Sequence, residues 1–331
     1  MMIVNFDIKP FLAAAVAFAV CALAMPVFIP YLKRLKFGQQ ILEDGPSWHE
    51  KKSGTPTMGG LGFILAVAAA TAVMLFFGFD VKLLMMLLVA VGFGAIGFVD
   101  DYIKVVKKRN LGLTASQKFL LQAILAAVYV LVLKETGELE SEIILPFTRR
   151  SITMPWWLYV PFILVVVTGT VNAVNLTDGL DGLAASVTVV VTVFFALAAH
   201  ILGEGDCSYF ALAVAGGCLG FLLYNKYPAR VFMGDTGSLF LGGAVSVLAV
   251  GMKLPLVLII AGFVYLFETL SVILQVASFK LTGKRIFKMS PVHHHFEMCG
   301  WSERKIVSVF CLAALIFCAL AYASVLPYAA R

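Results

Sequence analysis

Residues 183–202, LAASVTVVVTVFFALAAHIL, contain no Lys, Arg, Asp or Glu. A helix rises about 1.5 Å per residue, so a run of this length crosses the roughly 30 Å hydrocarbon layer of a bilayer. The rest of the chain has the same character: of 331 residues, 61% are hydrophobic and only 13% charged. A soluble domain has about 45–50% and about 25% respectively. So little charge cannot cover a water-facing surface. A soluble enzyme, a disordered chain, a collagen and a disulfide scaffold are thereby excluded, and the apolar surface must face lipid.

Working outward, nine further runs qualify as spans: 11–32, 57–79, 83–99, 115–133, 157–176, 208–224, 237–252, 254–277 and 306–326. The expectation is an all-α integral membrane protein of about ten transmembrane helices in a single polytopic domain. None of the runs alternates polar and apolar residues as a barrel strand does. The first carries Pro26 and Pro30 and is longer than the apolar region of a cleaved signal, so it is read as a span. The eighth is short and holds Gly242, Gly243 and Gly251, which makes it a candidate to tilt, break or merge with its neighbour and reduce the count to nine. Between the fourth and fifth runs, ILPF (144–147) and SITMP (151–155) suit a short hairpin beside Trp156 and Trp157.

Eighteen of the 25 Lys and Arg fall in residues 33–52, 104–118, 226–230 and 280–305, which share one side when ten spans alternate. The positive-inside rule makes that side cytoplasmic and places both termini outside. Basic loops beside a membrane attract anionic headgroups, so the net charge of +6 needs no nucleic acid. The six cysteines include no CxxC pair and four lie inside apolar runs, as small core residues do.

Chemistry is expected where polar residues collect. Asp100 and Asp101 in FVDDYIK, Asp178 and Asp181 in NAVNLTDGLDGLA, and Asp235 in FMGDTGS each follow an apolar span closely on the cytoplasmic side. Carboxylates at a membrane boundary are costly unless paired, hydrated or bound to a cation. Such a group suits magnesium, which takes a few carboxylate oxygens together with water and phosphate. No Cys or His spacing points to zinc. If the helix continues, Asp100 and Asp101 point about 100° apart, so one could hold metal or phosphate while the other acts as a base. Asn172, Asn175, Asp178 and Asp181 recur every three residues, with Gly179 and Gly182 opening the stripe. They suit a polar ligand such as a nucleoside, or the capping of a helix end.

The basic segment SFKLTGKRIFKMSPVHHHFEMCGW reads as the longest cytoplasmic loop, with His293, His294 and His295 contiguous in it. Three successive residues of a helix or strand cannot all face one ligand, so a loop is expected there. Imidazole beside Lys and Arg fits a pyrophosphate better than a transition metal, while Lys280, Lys284, Arg285 and Lys288 equally suit a lipid-facing cationic face. In KKSGTPTMGGLG, Lys51 and Lys52 precede Gly59, Gly60 and Gly62, which suits either phosphate binding at a helix start or close helix packing. It lacks the ending of a Walker motif. Phe232, near Asn225 and Asp235, could stack on a base or belong to the core.

FVDDYIK, NAVNLTDGLDGLA, FMGDTGS and SPVHHHFE, in this order between these spans, closely resemble the polyprenyl-phosphate N-acetylhexosamine-1-phosphate transferases. The contiguous histidines resemble the phospho-N-acetylmuramoyl-pentapeptide transferase branch. The resemblance implies a ten-span enzyme of the bacterial cytoplasmic membrane, homodimeric, that moves phospho-MurNAc-pentapeptide from UDP to undecaprenyl phosphate, giving UMP and lipid I. It implies catalytic roles for Asp100, Asp101, Asp235 and His293 to His295, with magnesium on Asp235. Substrate contacts are implied at Lys52, Thr57, Lys118, Asn175, Asp178, Asp181, Asn225, Phe232 and Gln275, Phe232 being the uracil-stacking ring. Asn172 joins them from the polar stripe. A sibling enzyme using UDP-N-acetylglucosamine shares the aspartates and remains the alternative. An ion-coupled transporter fits less well, because the acids collect at one face and Glu268 alone lies deep in a span.

Overall fold

The computed structural model describes residues 7–34, 54–106 and 112–330. Among them, ten helices are long and apolar enough to cross a membrane. They are α1 (Lys9–Arg34), α2 (Gly60–Phe77), α3 (Val81–Val106), α4 (Ala115–Glu135), α5 (Trp156–Thr177), α6 (Leu183–Leu202), α7 (Gly205–Asn225), α8 (Gly234–Gly251), α10 (Phe263–Thr282) and α12 (Glu303–Ala329). The short helices α9 (Pro255–Ala261) and α11 (Val292–Met298) and an antiparallel pair, β1 (Glu142–Ile144) with β2 (Ser151–Thr153), complete the described elements.

The glycine-rich eighth span does not break. It forms the middle of the bundle, with every residue from Thr236 to Gly251 buried against α2, α3 and α5. Its glycines admit neighbouring backbones: a Cβ on Gly242 would stand 2.6 Å from Val171 Cα. The partner helices yield in the same way. A Cβ on Gly97 of α3 would stand 2.1 Å from the Asp235 carbonyl oxygen, so α3 and α8 touch backbone to backbone where the acids lie. Close approach of this kind replaces the hydrophobic drive that lipid cannot supply.

The interruption falls instead in the ninth span. Pro255 starts α9, which ends after seven residues at Gly262 (φ −88°, ψ 20°), and α10 starts afresh at Phe263. A Cβ on Gly262 would stand 2.8 Å from the Leu258 carbonyl oxygen. Whereas α9 stays packed, α10 buries only one stripe: Val264, Tyr265, Glu268, Ser271 and Gln275. Phe267, Leu270, Ile273 and Leu274 are exposed, an apolar face suited to lipid. The helix also runs on to Thr282, so the expected long loop is shorter than 278–301. Its histidines lie on α11, not on a loop, because Pro291 fixes an extended residue before the helix start and Gly300 (φ +86°) turns the chain after it.

The expected hairpin forms, pairing Glu142 with Thr153, Ile143 with Ile152 and Ile144 with Ser151. Ile144 N–H donates to the Lys253 carbonyl (2.9 Å) and Phe147 N–H to the Ser324 carbonyl (2.9 Å). Lys253 Nζ also reaches Glu140 (2.7 Å) and Glu142 (2.9 Å). The hairpin thus ties the α8–α9 turn to α12. Buried hydroxyls inside spans bond back to their own helix, as Thr177, Thr188 and Thr192 do to carbonyls four residues earlier.

Replacing Gly97 with Ala is expected to lower the melting midpoint by several degrees, a loss of about 2 kcal/mol for an overpacked contact. Gly169→Ala, with nothing within 4 Å of its added Cβ, serves as the matched control. Equal melting of the two variants would show that α3 and α8 can part without cost.

Candidate active site

Helix α3 continues past its apolar run, and the two adjacent acids take different partners. Asp101, 5% exposed, turns toward α8. Its Oδ1 accepts from Asp235 N–H (3.2 Å), and its Oδ2 from Thr236 N–H (2.9 Å) and Thr236 Oγ1 (2.7 Å). A carboxylate from one helix thus caps the N-terminus of another, satisfying amides that have no partner within their own helix. Gly234 (φ +70°) makes room, since a Cβ there would stand 2.4 Å from Asp101 Oδ2 and 2.9 Å from Thr57 Oγ1.

Asp100, wholly buried, faces α4. Its Oδ1 accepts from Leu113 N–H (2.7 Å), and its Oδ2 lies 2.7 Å from Lys104 Nζ and 3.0 Å from Lys118 Nζ. The same ammonium groups donate to Asp235 Oδ2, at 3.0 and 2.8 Å. Asn175 Nδ2 donates to Asp235 Oδ1 (3.0 Å) and to Ser238 Oγ (2.7 Å). Lys118 is brought to this point by the capping box of Thr114 and Gln117, which fixes the start of α4. Oxygens of Asp100, Asp101 and Asp235 lie within 4.8 Å of one another, a donor set suited to a hard cation. Four helix ends therefore meet around three carboxylates and two ammonium groups.

After α5 the chain opens into a turn at 178–182, as its glycines imply. Burial, and after it the negative field of Asp235, Asp101 and Asp181, pushes the Asp178 carboxyl up to about 8, so it holds its proton at neutral pH. Asp181 Oδ2 accepts from Ala229 N–H (2.9 Å). Asn225, 2% exposed, accepts from Gly182 N–H (3.1 Å) and donates to the Val231 carbonyl (2.9 Å). Both residues strap the turn to the loop after α7. Phe232 is half-buried and its ring meets no other aromatic ring among the described residues. Thr57 is buried beside Gly234.

The other expected residues take partners other than the three clustered acids. On α11 the His293 and His294 rings lie against each other, centroids 4.1 Å apart, while His295 turns to Phe287. His293 Nδ1 lies 3.1 Å from Glu268 Oε1, His294 Nδ1 lies 2.7 Å from Glu297 Oε2, and His295 Nδ1 accepts from Lys288 N–H at 3.1 Å. Gln275 spends its amide on the loop, accepting from Ile286 and Phe287 N–H and donating to the Phe287 carbonyl. Asn172, one turn below Asn175, donates to Gln122 Oε1 (2.8 Å) and the Thr168 carbonyl (2.7 Å). Gly59 and Gly60 serve packing, because their amides donate to the Phe232 and Met233 carbonyls. Lys51 and Lys52 lie outside the described residues.

Sequence reading missed Lys104, Thr236 and Gln122. Lys104 was marked by its spacing of four from Asp100 on one helix face. Thr236 and Gln122 carry no local signal.

Comparison with known proteins then places the chain. Residues 83–253 match the family described as glycosyl transferase family 4. A phospho-N-acetylmuramoyl-pentapeptide-transferase of Acetivibrio thermocellus is 50% identical over 320 residues, 96% of each chain. One of Halalkalibacterium halodurans is 50% identical over 314 residues, covering 94% of this chain and 95% of that protein. One of Caldanaerobacter subterraneus subsp. tengcongensis is 51% identical over 308 residues, 93% and 96%. With near-complete coverage at this identity, and with the acids, lysines and polar turn assembled around one point, the chain belongs to the phospho-N-acetylmuramoyl-pentapeptide-transferase family.

Proposed function

We propose that this chain transfers phospho-MurNAc-pentapeptide from UDP-MurNAc-pentapeptide to undecaprenyl phosphate, releasing UMP and forming lipid I, in a bacterial cytoplasmic membrane. The observation that carries the reading is the cluster of three carboxylates and two lysines, in a chain about 50% identical to transferases of that name. Transfer between two anionic phosphates needs charge neutralisation and in-line placement more than covalent help. Lys104 and Lys118 supply fixed positive charge beside the carboxylates. The lipid phosphate is itself an adequate nucleophile, so direct attack on the phosphate that bears the sugar is the preferred course.

The two adjacent aspartates then divide their duties. Asp101 has its oxygens committed to the start of α8 and positions Asp235. Asp100, facing both lysines, is the group placed to orient or deprotonate the attacking phosphate. Magnesium fits at Asp235 with Asp100 and Asp101 close by, and when bound it draws negative charge from phosphoryl oxygens. The basic-residue bias supports a cytoplasmic site with both termini outside, and family resemblance supports a homodimer. Family membership favours this reading over an ion-coupled transporter.

Three measurements test this. Detergent-purified protein given undecaprenyl phosphate and UDP-MurNAc-pentapeptide is expected to release UMP with magnesium, to stop in EDTA, and to ignore UDP-N-acetylglucosamine; turnover of the latter alone would move the chain to the sibling activity. For the second, nucleotide-sugar affinity measured calorimetrically in EDTA is expected to fall as pH rises through about 8, because ionised Asp178 repels the diphosphate. In Asp178→Asn this pH step should vanish, and its persistence would assign it to another group. For orientation, Cys207 is buried and of no use as a probe, whereas Cys299 is exposed. In intact spheroplasts an impermeant maleimide should label Arg149→Cys on the exposed hairpin tip and reach Cys299 only after permeabilisation; the opposite pattern inverts the topology.

A further inference from the structure

Glu268 is wholly buried on α10, and the one titratable side chain its carboxylate meets among the described residues is His293. Oε1 lies 3.1 Å from His293 Nδ1, and Oε2 accepts from the His293 N–H at 3.5 Å. The imidazole is 1% exposed and neither of its nitrogens makes a hydrogen bond among the described residues, so Glu268 holds it by close approach at Nδ1 and through the backbone N–H. The Nε2 end of the ring presses on the turn carrying Asp178. A Cβ on Gly179 would stand 2.1 Å from His293 Nε2 and 2.6 Å from Cε1. Gly179 is not among the positive-φ glycines, so a left-handed backbone is not the reason for glycine there. What requires a glycine there is the ring.

We propose that His293 is a positioning residue: held by Glu268, its imidazole edge wedges against Gly179 and sets the place of Asp178, without itself touching substrate. The opposite side of the turn is held at Gly182 by Asn225 and at Asp181 by the Ala229 amide. Glu303 of α12 also reaches the turn, its Oε2 accepting from Asp181 N–H at 3.4 Å, and the wedge adds the contact at Gly179. The inference rests on the nucleotide-sugar reading above and deepens it by separating residues that bind from one that places a binder.

The experiment is steady-state kinetics on UDP-MurNAc-pentapeptide with wild type, His293→Ala, Gly179→Ala, the Gly179→Ala/His293→Ala double variant, Glu268→Gln and Glu268→Ala. His293→Ala is expected to raise the nucleotide KM roughly tenfold with kcat changed less than about threefold, as for lost uniform binding. Gly179→Ala should raise KM further, and the double variant should be no worse than His293→Ala, because removing the ring removes the collision. Glu268→Gln, which keeps the size and polarity of the group facing Nδ1, should lie between wild type and Glu268→Ala. A drop in kcat of roughly 100-fold or more in His293→Ala at unchanged KM, as for a lost general acid or base, with fully additive losses in the double variant, overturns the proposal. If Gly179→Ala fails to assemble, recovery of folded protein in the double variant is the expected rescue, and its absence counts against the wedge. A wild-type chain inactive on this substrate overturns the functional reading instead. The melting midpoints then decide the contact: a double variant melting at or above Gly179→Ala supports it, and one melting lower by the sum of the single shifts removes it.

Discussion

The carboxylate of Asp101 joins two helices far apart in the chain, and the rest of the site is built on that junction. It satisfies the first amides of α8 from across a helix–helix contact, where a buried and unpaired N–H would otherwise cost about 1–3 kcal/mol each. Because α8 starts at this point, Asp235 stands in its first turn, within reach of Lys104, Lys118 and Asn175. The small residues at Gly97 and Gly234 are needed to let the carboxylate and the α8 backbone come so near. One capping interaction thus fixes the register of α3 on α8, and with it the distances among the three acids.

The spans and the acids were legible in the sequence because both reflect a cost that the bilayer imposes locally. Twenty apolar residues announce a helix whatever surrounds them, and an aspartate at the end of such a run demands a partner or a cation. Which partner it takes is a different matter. Asp100 and Asp101 are equivalent in sequence, and their partners separate them: Lys118 of α4 for Asp100 and α8, more than 130 residues later, for Asp101. Lys104 could have been found from its spacing, but Thr236 could not.

Glycine was the least readable residue. The same poverty of side chain that lets α8 lie in the bundle centre at Gly242 also permits the interruption at Gly262, and composition does not distinguish the two uses. Pro255, seven residues before Gly262, marks where α9 starts, but the apolar run 254–277 carries no comparable mark where α9 ends. The histidines misled for a related reason. Their directions follow from Glu268 on another helix and from the chain turns at Pro291 and Gly300, none of which is local periodicity.

The burial of α8 bears on how the protein is made. By mean hydropathy its best window, at 1.3, is the least apolar of the ten spans, and its glycines and serines offer lipid little. Its stability must come from α2, α3 and α5, all of which precede it in the chain. During synthesis those helices are already in the membrane when α8 emerges, so its natural path is into a groove that waits for it. The helix that carries Asp235 is therefore the one least able to persist alone in lipid, and a partly assembled bundle would lack the acid cluster altogether. Biogenesis and competence for chemistry are coupled in this chain through the poor membrane solubility of a single segment.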